Sequence, residues 1–297
     1  MANSITLFQK YIDALDKVYK WAGITSVLDG DSSLTKAGAN TNEIVIPKMS
    51  MDGLKDYSRN SGYLGGSVTL TNETVQFNYD RGIKFTVDAM DNEETAGVAF
   101  GQLAGEFIRT KVAPELDAFR FATYAGTSGI SGDEGELEDG DAVLDALLAA
   151  RNQMDEDEVP ETERMLFITP THYNSVLALE TYKSRETLNS FSFIKKVPPT
   201  RFYTAIDLLD GTSVGETQGG YQKHDGAMDI NFMIIHKPAL MQYTKHLVKK
   251  IITPELNQTD DGWMFFFRSY GLADVYENKV AGIYLHAWGA NDSPGNV

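Results

Sequence analysis

The five histidines are the first side chains to consider for catalysis or metal binding. They are scattered over the second half of the chain, and no two of them share the H-E-x-x-H spacing that puts two imidazoles on one helix face. The sequence therefore predicts no metal or cofactor at these positions. Each is interpreted as a capping or interface residue: His172, His224, His236, His246 and His286.

Acidic residues offer a second possible chemistry. The stretch LDGDSSLTKAGAN begins like a calcium loop, with Asp29, Asp31 and Ser33 at alternate positions. Such a loop needs Gly at its sixth position and a bidentate Glu at its twelfth, where this chain has Leu34 and Asn40. The pattern is therefore rejected as a calcium site.

Paired carboxylates can hydrolyse glycosides, so an acidic hydrolase stays open as an alternative. Glu115 and Asp117, with Arg120 one turn later, are interpreted as the ion-pair face of a surface helix. The chain has no cysteine, phosphate-binding glycine loop or nucleophile elbow. We predict that the protein is not an enzyme.

Charge and composition exclude further classes. The 297 residues carry a formal net charge of −16, which argues against gripping nucleic acid through its phosphates. No apolar run approaches the roughly 20 residues that a membrane-spanning helix needs. Zero cysteines fit a chain made in reducing cytoplasm.

The elements that would position these residues begin with two helices. Apolar residues at helical spacing predict an amphipathic helix over 7–20, followed by an extended or loosely held stretch to Asn42. A long helix over 91–126 starts with the capping pattern of Asp91 and Glu94. Pro114 is expected to bend or split it.

Between the two helices, β-forming residues predict a long two-stranded ribbon. NEIVIP (42–47) is a short strand, and VTLTNETVQFNYDRGIKFTVD (68–88) is a long one. The apolar alternation changes phase through Thr71–Thr74, which predicts a bulge or strong twist. The segment between the strands is predicted to be a polar, mobile tip. A lone ribbon is marginal in water, so something outside it must cover it.

A break at 127–142 precedes an α/β pattern. We predict a helix over 142–154, a strand over 164–169, a helix over 170–179 and a strand over 229–236. A mobile Ser/Lys/Thr region is expected before VPPTRFY, and the last fifty residues return to strands.

Several stretches together resemble a known family. They are VTLTNETVQFNYDRGIKFTVDAMDNEET, VAPELDAFRFATYA, VPPTRFYTAIDLLDG and FMIIHKPAL followed by KHLVKKIITPELNQTDDGWMFFFRSYGLADVYENKVAGIYLH. In order and spacing they resemble the major capsid proteins of tailed bacteriophages, which have the Hong Kong 97-type fold.

The resemblance implies an α+β capsid fold with five parts. These are an N-terminal arm (1–40), an extended β-hairpin called the E-loop (41–90), a peripheral domain with a long spine helix (91–126) and an α/β axial domain (127–227). The last part (228–297) would begin in the axial sheet and return to the peripheral strands.

The resemblance also implies a function in the virion. Copies of the chain would form hexamers and pentamers of an icosahedral shell around double-stranded DNA, without specific DNA binding, assembled in the host cytoplasm. A portal and decoration proteins are implied partners. No long charged leader precedes the arm, so a separate scaffolding protein is expected, with a proteolytically matured chain as the alternative. Covalent cross-linking is not predicted. An encapsulin-type cargo shell stays open as the alternative.

The same resemblance makes another copy of the chain the cover of the ribbon. The tip around Met51, Leu54 and Tyr57 is predicted to reach the neighbour, while Phe77, Tyr79 and Phe85 pack near the base. Arginine suits carboxylate pairing between subunits. The candidates for intersubunit contact are Met51, Leu54, Tyr57, Arg59, Phe77, Tyr79, Arg81 and Arg268.

Overall fold

The structure is a computed structural model that describes residues 23–30, 43–60, 62–89, 105–259 and 261–289. The predicted helix over 7–20, the capping pattern at Asp91 and Glu94, and most of the calcium-like stretch lie outside these residues. No helix in the described ranges is long and apolar enough to span a membrane.

The described part of the chain is α+β. Its strands are β1 (Glu43–Met51), β2 (Val68–Gln76), β3 (Tyr79–Asp88), β4 (Ser131–Glu134), β5 (Arg164–Ile168), β6 (Phe193–Lys196), β7 (Ile206–Leu209), β8 (Gly220–Lys223), β9 (Asp229–His236), β10 (Leu240–Ile252), β11 (Gly262–Val275) and β12 (Ile283–Trp288). Its α-helices are α1 (Ala113–Ala125), α2 (Gly140–Glu156), α3 (Pro170–Ala178) and α4 (Tyr182–Asn189).

A five-stranded sheet forms the centre of the described structure, in the order β4-β12-β9-β5-β6. Its middle strand β9, sequence DINFMIIH, is buried at every position after Asp229. Such a run of consecutive apolar residues indicates a strand covered on both faces. The predicted strands over 164–169 and 229–236 and the helices over 142–154 and 170–179 are confirmed.

Alternate side chains of the sheet enter two different cores. Phe232 and Ile234 pack against helix α2, with Leu144 and Leu147 among the contacts. Met233 and Ile235 face the opposite way, into a cluster built around Phe121 and Tyr124 of α1 and Leu28 of the N-terminal segment. The period of two along a strand places α2 on one face and α1 on the other.

The long helix runs through Pro114 without being split. Residues 105–107 are helical, a π-helical turn follows at Ile108–Val112, and α1 continues to Ala125. Pro114 has no N–H to donate to the preceding turn, and the π turn is the irregularity that accompanies this loss. The part of the predicted helix before 105 lies outside the described residues.

A three-stranded sheet in the order β10-β11-β3 packs on this helix. Its inner face carries Phe85, Phe265 and Phe267, which surround Ile108 and Val112 of the π turn. Phe85 packs within its own chain, because its ring lies 4.8 Å from that of Phe107, but it belongs to this core and not to the cluster of Ile44 and Val75. Its predicted packing near the ribbon's base is therefore not confirmed.

The predicted long strand over 68–88 is two strands in two different sheets. β2 pairs with β1 in a ribbon, and β3 pairs with β11. At the junction, the Asn78 side chain takes the place of strand pairing: its Nδ2 donates to the Ala273 carbonyl at 2.8 Å, and its Oδ1 accepts from the Ala273 amide at 3.1 Å.

Of the two alternatives predicted at Thr71–Thr74, the bulge is absent from the described ribbon and was wrong, while the strong twist stays a prediction. The β1/β2 register runs without a shift from Glu43 opposite Gln76 to Met51 opposite Val68. The apolar alternation changes phase because the ribbon has apolar residues on both of its faces.

Two other segments differ from the sequence predictions. The region predicted to be mobile before VPPTRFY contains α4, whose first turn is capped by Thr181, and β6. Strand β12 does not join the long strands β10 and β11 but pairs with β9 and β4 in the five-stranded sheet. Its near-continuous apolar run suits that two-sided burial.

Candidate functional site: the exposed face of the β-ribbon

The β1/β2 ribbon has two faces with opposite surroundings. In an antiparallel ribbon, residues opposite each other share a face, and neighbours along a strand point to opposite faces. We call the face with Ile44 and Val75 the inner face, and the face with Met49, Met51, Val68 and Leu70 the outer face.

The inner face packs on the body of the chain at the ribbon's base. Ile44 and Val75 are buried together with Met241, Tyr243 and Leu272 of strands β10 and β11. This apolar contact holds the lower part of the ribbon on the outer side of the three-stranded sheet, away from α1.

A small ionic cluster lies next to this contact. Lys48 Nζ forms an ion pair with Glu73 Oε2 at 3.1 Å and a second, closer one with Glu277. The side chain of Glu73 is 8% exposed, and its buried Oε2 has no hydrogen bond besides this ion pair. Burial raises the pKa of neighbouring Asp274, and the charges of Glu73 and Glu277 raise it further. Lys48 therefore balances several carboxylates where the ribbon meets the body.

The outer face is apolar and is not covered by any other part of the described chain. Met49 lies opposite Leu70, and Met51 lies opposite Val68. These four side chains are 59–67% exposed, although residues of this kind are usually buried. Exposed apolar side chains that form a contiguous patch mark an interaction surface.

The tip beyond the strands is a structured loop with further exposed apolar groups. Asp52 accepts hydrogen bonds from the Ser67 amide at 3.1 Å and the Ser67 hydroxyl at 3.0 Å. Lys55 Nζ donates to Asp52 at 2.9 Å, and this bond is the main reason that the pKa of Asp52 lies below its ordinary value. The exposed apolar residues of the tip are Leu54, Tyr57, Tyr63 and Leu64. The tip thus combines exposed apolar groups with the polar side chains that were predicted, and its predicted mobility stays a prediction.

Four of the predicted contact residues lie on this exposed part of the ribbon. Met51, Leu54, Tyr57 and Arg59 are all exposed to solvent. The ring of Tyr57 lies 4.9 Å from that of Tyr63. Contact of these residues with another subunit stays a prediction.

The aromatic candidates Phe77 and Tyr79 have partners within the chain. The ring of Phe77 stacks on that of Tyr270 at 5.0 Å. Tyr79 is buried beside Phe119, with 4.9 Å between the ring centroids. Their predicted packing at the base of the ribbon is confirmed, while a role between subunits stays a prediction.

The arginine candidates also have partners within the chain. Arg81 Nε donates to Glu115 Oε1 at 2.8 Å. Arg268 forms a bidentate pair with Asp80, at 2.8 and 2.6 Å, and this pair lowers the pKa of Asp80. Intersubunit pairing of either arginine would compete with these contacts and stays a prediction.

Sequence reasoning missed a polar cluster that anchors the N-terminal segment. Asp117 is 1% exposed and accepts hydrogen bonds from the amides of Ile24 and Thr25 at 3.0 and 2.9 Å. It also accepts from the Thr25 hydroxyl at 2.7 Å and Arg201 Nη1 at 3.1 Å. The interpretation of Asp117 as part of a surface face was wrong, because a segment far away in sequence covers this side of the helix.

Arg120 and Gln242 extend the same cluster. Arg120 is buried and donates to the Thr25 hydroxyl at 2.9 Å and to Asp29 at 3.1 Å. Gln242 Nε2 donates to the Thr25 carbonyl at 2.8 Å and to Asp29 at 2.7 Å. Asp29, the first acidic residue of the calcium-like stretch, is thus engaged in an anchoring contact.

The described residues contain no group of three or more His, Cys, Asp or Glu side chains that could hold a metal ion. Burial lowers the pKa values of His172, His236 and His286, which favours the neutral imidazole. His172 Nδ1 lies 2.7 Å from the Thr169 hydroxyl. These histidines have the surroundings of structural residues.

No protein-family model and no curated protein matches the sequence. Solved structures do match it. A chain of Mycobacterium phage Che8 aligns with a TM-score of 0.58 and 14% identity, over 89% of this chain and 90% of its own length. The capsid structure of Staphylococcus phage Andhra aligns with a TM-score of 0.58 and 12% identity, over 89% and 84%.

A third match comes from an archaeon. The virus-like particle from Pyrococcus furiosus aligns with a TM-score of 0.55 and 13% identity, over 94% of this chain and 99% of its own length. At these identities the likeness concerns the fold. The described α+β structure has the Hong Kong 97-type fold of tailed-phage capsid proteins.

Proposed function

We propose that the chain is a major capsid protein, which assembles into hexamers and pentamers of an icosahedral shell around double-stranded DNA. The observation that carries this proposal is the uncovered outer face of the ribbon, in a chain that has a capsid fold. A contact that joins different surfaces of two copies closes into a ring when it is repeated around an axis. In such a ring Met51, Leu54, Tyr57 and Arg59 reach the next copy.

The other expected partners follow from the same proposal. The net charge of −16 disfavours tight DNA binding, so the packaged DNA is held by enclosure. A separate scaffolding protein, a portal and decoration proteins are further partners. The mature location is the virion, after assembly in the host cytoplasm.

A cargo-holding shell is the second candidate. The observation that favours it is the alignment with nearly the full length of the Pyrococcus furiosus virus-like particle. The contents of isolated particles distinguish the two functions: protected double-stranded DNA supports the capsid, and a defined protein content without DNA supports the cargo shell.

The test of assembly compares the wild type with a double variant of the outer face, Met51→Asp with Leu70→Asp. We expect the purified wild type to form rings or hollow particles in electron micrographs and the variant to stay monomeric. Charged groups on this face would have to be buried without partners in the contact. Circular dichroism should show the same fold for both, because both positions are exposed in the monomer.

Val214→Asp is the matched control. Val214 is a fully exposed apolar residue in the loop between β7 and β8, away from the ribbon. We expect this variant to assemble as the wild type does. A wild type that stays monomeric at high concentration, with and without a co-expressed scaffolding protein, would contradict the proposed function and would reopen the acidic hydrolase.

A further inference from the structure

A second surface, distinct from the ribbon, has a composition that a partner could recognise. It lies on the outer side of the three-stranded sheet, beyond the point where the ribbon's base covers Leu272. There Lys84 of β3, Phe266 of β11 and Lys250 of β10 lie side by side on one rung. We call the surface formed by these three residues the basic rung. Val248 and Gly82, which flank Arg268 on the next rung, border it.

The two lysines of the basic rung have no partner in the described part of the chain. Both are exposed, and neither forms an ion pair with a described carboxylate. Phe266 lies between the two lysines and Val248 lies beside Lys250; both are partly exposed and form the apolar floor of a shallow depression. By contrast, Arg268 on the next rung is already neutralised by Asp80.

The sheet that carries this rung is a basic island in an acidic protein. The three strands contain six basic residues and three acidic ones, whereas the whole chain has 26 Lys and Arg against 42 Asp and Glu. The basic residues are Arg81, Lys84, Lys245, Lys249, Lys250 and Arg268. This reversal of local charge suits an acidic partner.

An acidic segment of matching character lies elsewhere in the same chain. Asp133, Glu134, Glu136 and Glu138 are exposed on the edge strand β4 and in the loop that leads to α2. None of these four forms an ion pair with a lysine or arginine of the described residues. Four neighbouring carboxylates without counter-charges repel one another, and a cationic surface relieves this repulsion.

We infer that the basic rung of one copy binds the acidic segment 133–138 of a second copy. The inference rests on the proposed function, because a shell subunit must present complementary surfaces to its neighbours. The two surfaces belong to different sheets, and no described ion pair joins them within one chain. Carboxylates reach Lys84 and Lys250, and the backbone around Gly135 covers the floor at Phe266.

Charge reversal on each side tests this contact. The first variant is Lys84→Glu with Lys250→Glu, and the second is Glu136→Lys with Glu138→Lys. We expect each variant to need at least about tenfold more protein for assembly, measured by sedimentation velocity and electron microscopy, since like charges then face each other across the contact. All four substitutions in one chain should restore assembly to near the wild-type level.

An equimolar mixture of the two double variants gives an independent measurement. In a ring where the two variants alternate, the two reversed surfaces face each other at one contact and the two unchanged surfaces face each other at the next. Both contacts then join opposite charges. We therefore expect mixed rings to form where neither variant forms rings alone. The control is Arg109→Glu with Lys183→Glu, which changes the net charge by the same amount as the lysine variant does, at two exposed surface ion pairs. We expect this control to assemble as the wild type does.

The outcomes separate the inference from the proposed function. If the wild type forms rings and both charge-reversal variants do so equally well, this contact is overturned while the proposed function stands. If the lysine variant forms normal shells that fail only to retain DNA, the basic rung is a nucleic-acid surface, and the inference is wrong. A wild type that never assembles overturns both.

Discussion

The five-stranded sheet and the β-ribbon place their apolar residues in opposite surroundings. Strand β9 is buried at seven consecutive positions, with α2 on one face and α1 on the other. In the ribbon, Ile44 and Val75 are buried at the base, while Met49 and Leu70 remain open to solvent. The sheet is covered by its own chain on both faces, whereas the described residues leave the ribbon's outer face exposed.

The polar groups of the two regions differ in the same way. Asp117 in the body accepts four hydrogen bonds and is neutralised by Arg201. Glu73 at the ribbon's base is also buried, but its Oε2 has fewer partners than the carboxylate of Asp117: it has the ion pair with Lys48 and no further hydrogen bond among the described residues. A fully bonded buried group fixes one arrangement, and an incompletely bonded one is easier to displace. The body is therefore expected to be rigid, and the ribbon to adjust during assembly.

The largest effect expected from a single change is at the anchor of the N-terminal segment. Asp117→Ala leaves Arg201 and the two backbone amides without their acceptor, so the free energy of unfolding should fall by about 3–5 kcal/mol. Urea denaturation measures this loss. The control, Glu106→Ala, removes an exposed carboxylate from the turn preceding α1 and should change stability by less than about 0.5 kcal/mol. Equal losses for both would show that Asp117 is not an anchor.

Truncating one leucine in each region tests the comparison directly. Leu166 is fully buried in the five-stranded sheet, and Leu166→Ala should lower the free energy of unfolding by about 2–5 kcal/mol. Leu70→Ala on the outer face should leave the monomer within about 0.5 kcal/mol of the wild type and weaken assembly. Thermal unfolding of monomers and sedimentation of assembled material measure the two effects. A large loss of monomer stability for Leu70→Ala would mean that its own chain already covers this face.

The ionic cluster at the ribbon's base should show a smaller, local effect. Lys48→Met leaves Glu73 buried without its counter-charge, so the ribbon should detach more often from the body. Hydrogen exchange of the amides in β1 and β2 should accelerate several-fold, with little change in the five-stranded sheet. Adding Glu73→Gln should recover most of the protection, because no charge then remains buried. Unchanged exchange in Lys48→Met would show that apolar packing alone holds the base.

The smallest expected effect is the pH dependence of Asp274. Its pKa is raised in the folded protein, mainly by burial and also by Glu73 and Glu277. A carboxyl whose pKa is higher in the folded than in the unfolded state stabilises the folded protein at pH values below its pKa in the unfolded state. This stabilisation is lost as the pH rises through its pKa in the folded state. At neutral pH, Asp274→Asn should therefore stabilise the protein, by less than about 1 kcal/mol because the group is only partly buried.

Melting temperatures of the wild type and the Asn variant, measured between about pH 3.5 and pH 7, test this direction of the stability change. The interval covers the ordinary pKa of Asp and values above it. The gain of the Asn variant should shrink at the acidic end, where Asp274 of the wild type is protonated. Asp225→Asn, at an exposed position, is the control and should show no comparable trend. A gain that is independent of pH would contradict the raised pKa.

Much of the fold could be predicted because the signals are local. The strands at 164–168 and 229–236 are short apolar runs, and α2 has apolar residues at helical spacing. The helix α4 was missed because it buries little apolar surface; of its residues, Ser184, Thr187 and Leu188 are buried. Its one local signal is Thr181, whose hydroxyl accepts from the Ser184 amide as an N-cap.

The candidate site was predicted in part for the same reason. The β-forming composition indicates a ribbon, and a ribbon indicates a need for cover. The phase change near Thr71 was interpreted as a bulge because a sequence alone cannot distinguish a shifted register from a strand with two apolar faces. The exposure of Met49 and Leu70 became visible only from the pairing of β1 with β2.

The sequence by itself determined the α+β class, the acidic balance and the resemblance to phage capsid proteins, because these depend on composition and on short-range pattern. Tertiary structure alone decided that Asp117 is an anchor, that the run over 68–88 is divided between two sheets, and that Lys84, Phe266 and Lys250 share one rung. The physical reason is that each of these features joins segments far apart in the chain. Their contacts depend on how whole elements pack, which local propensities do not encode.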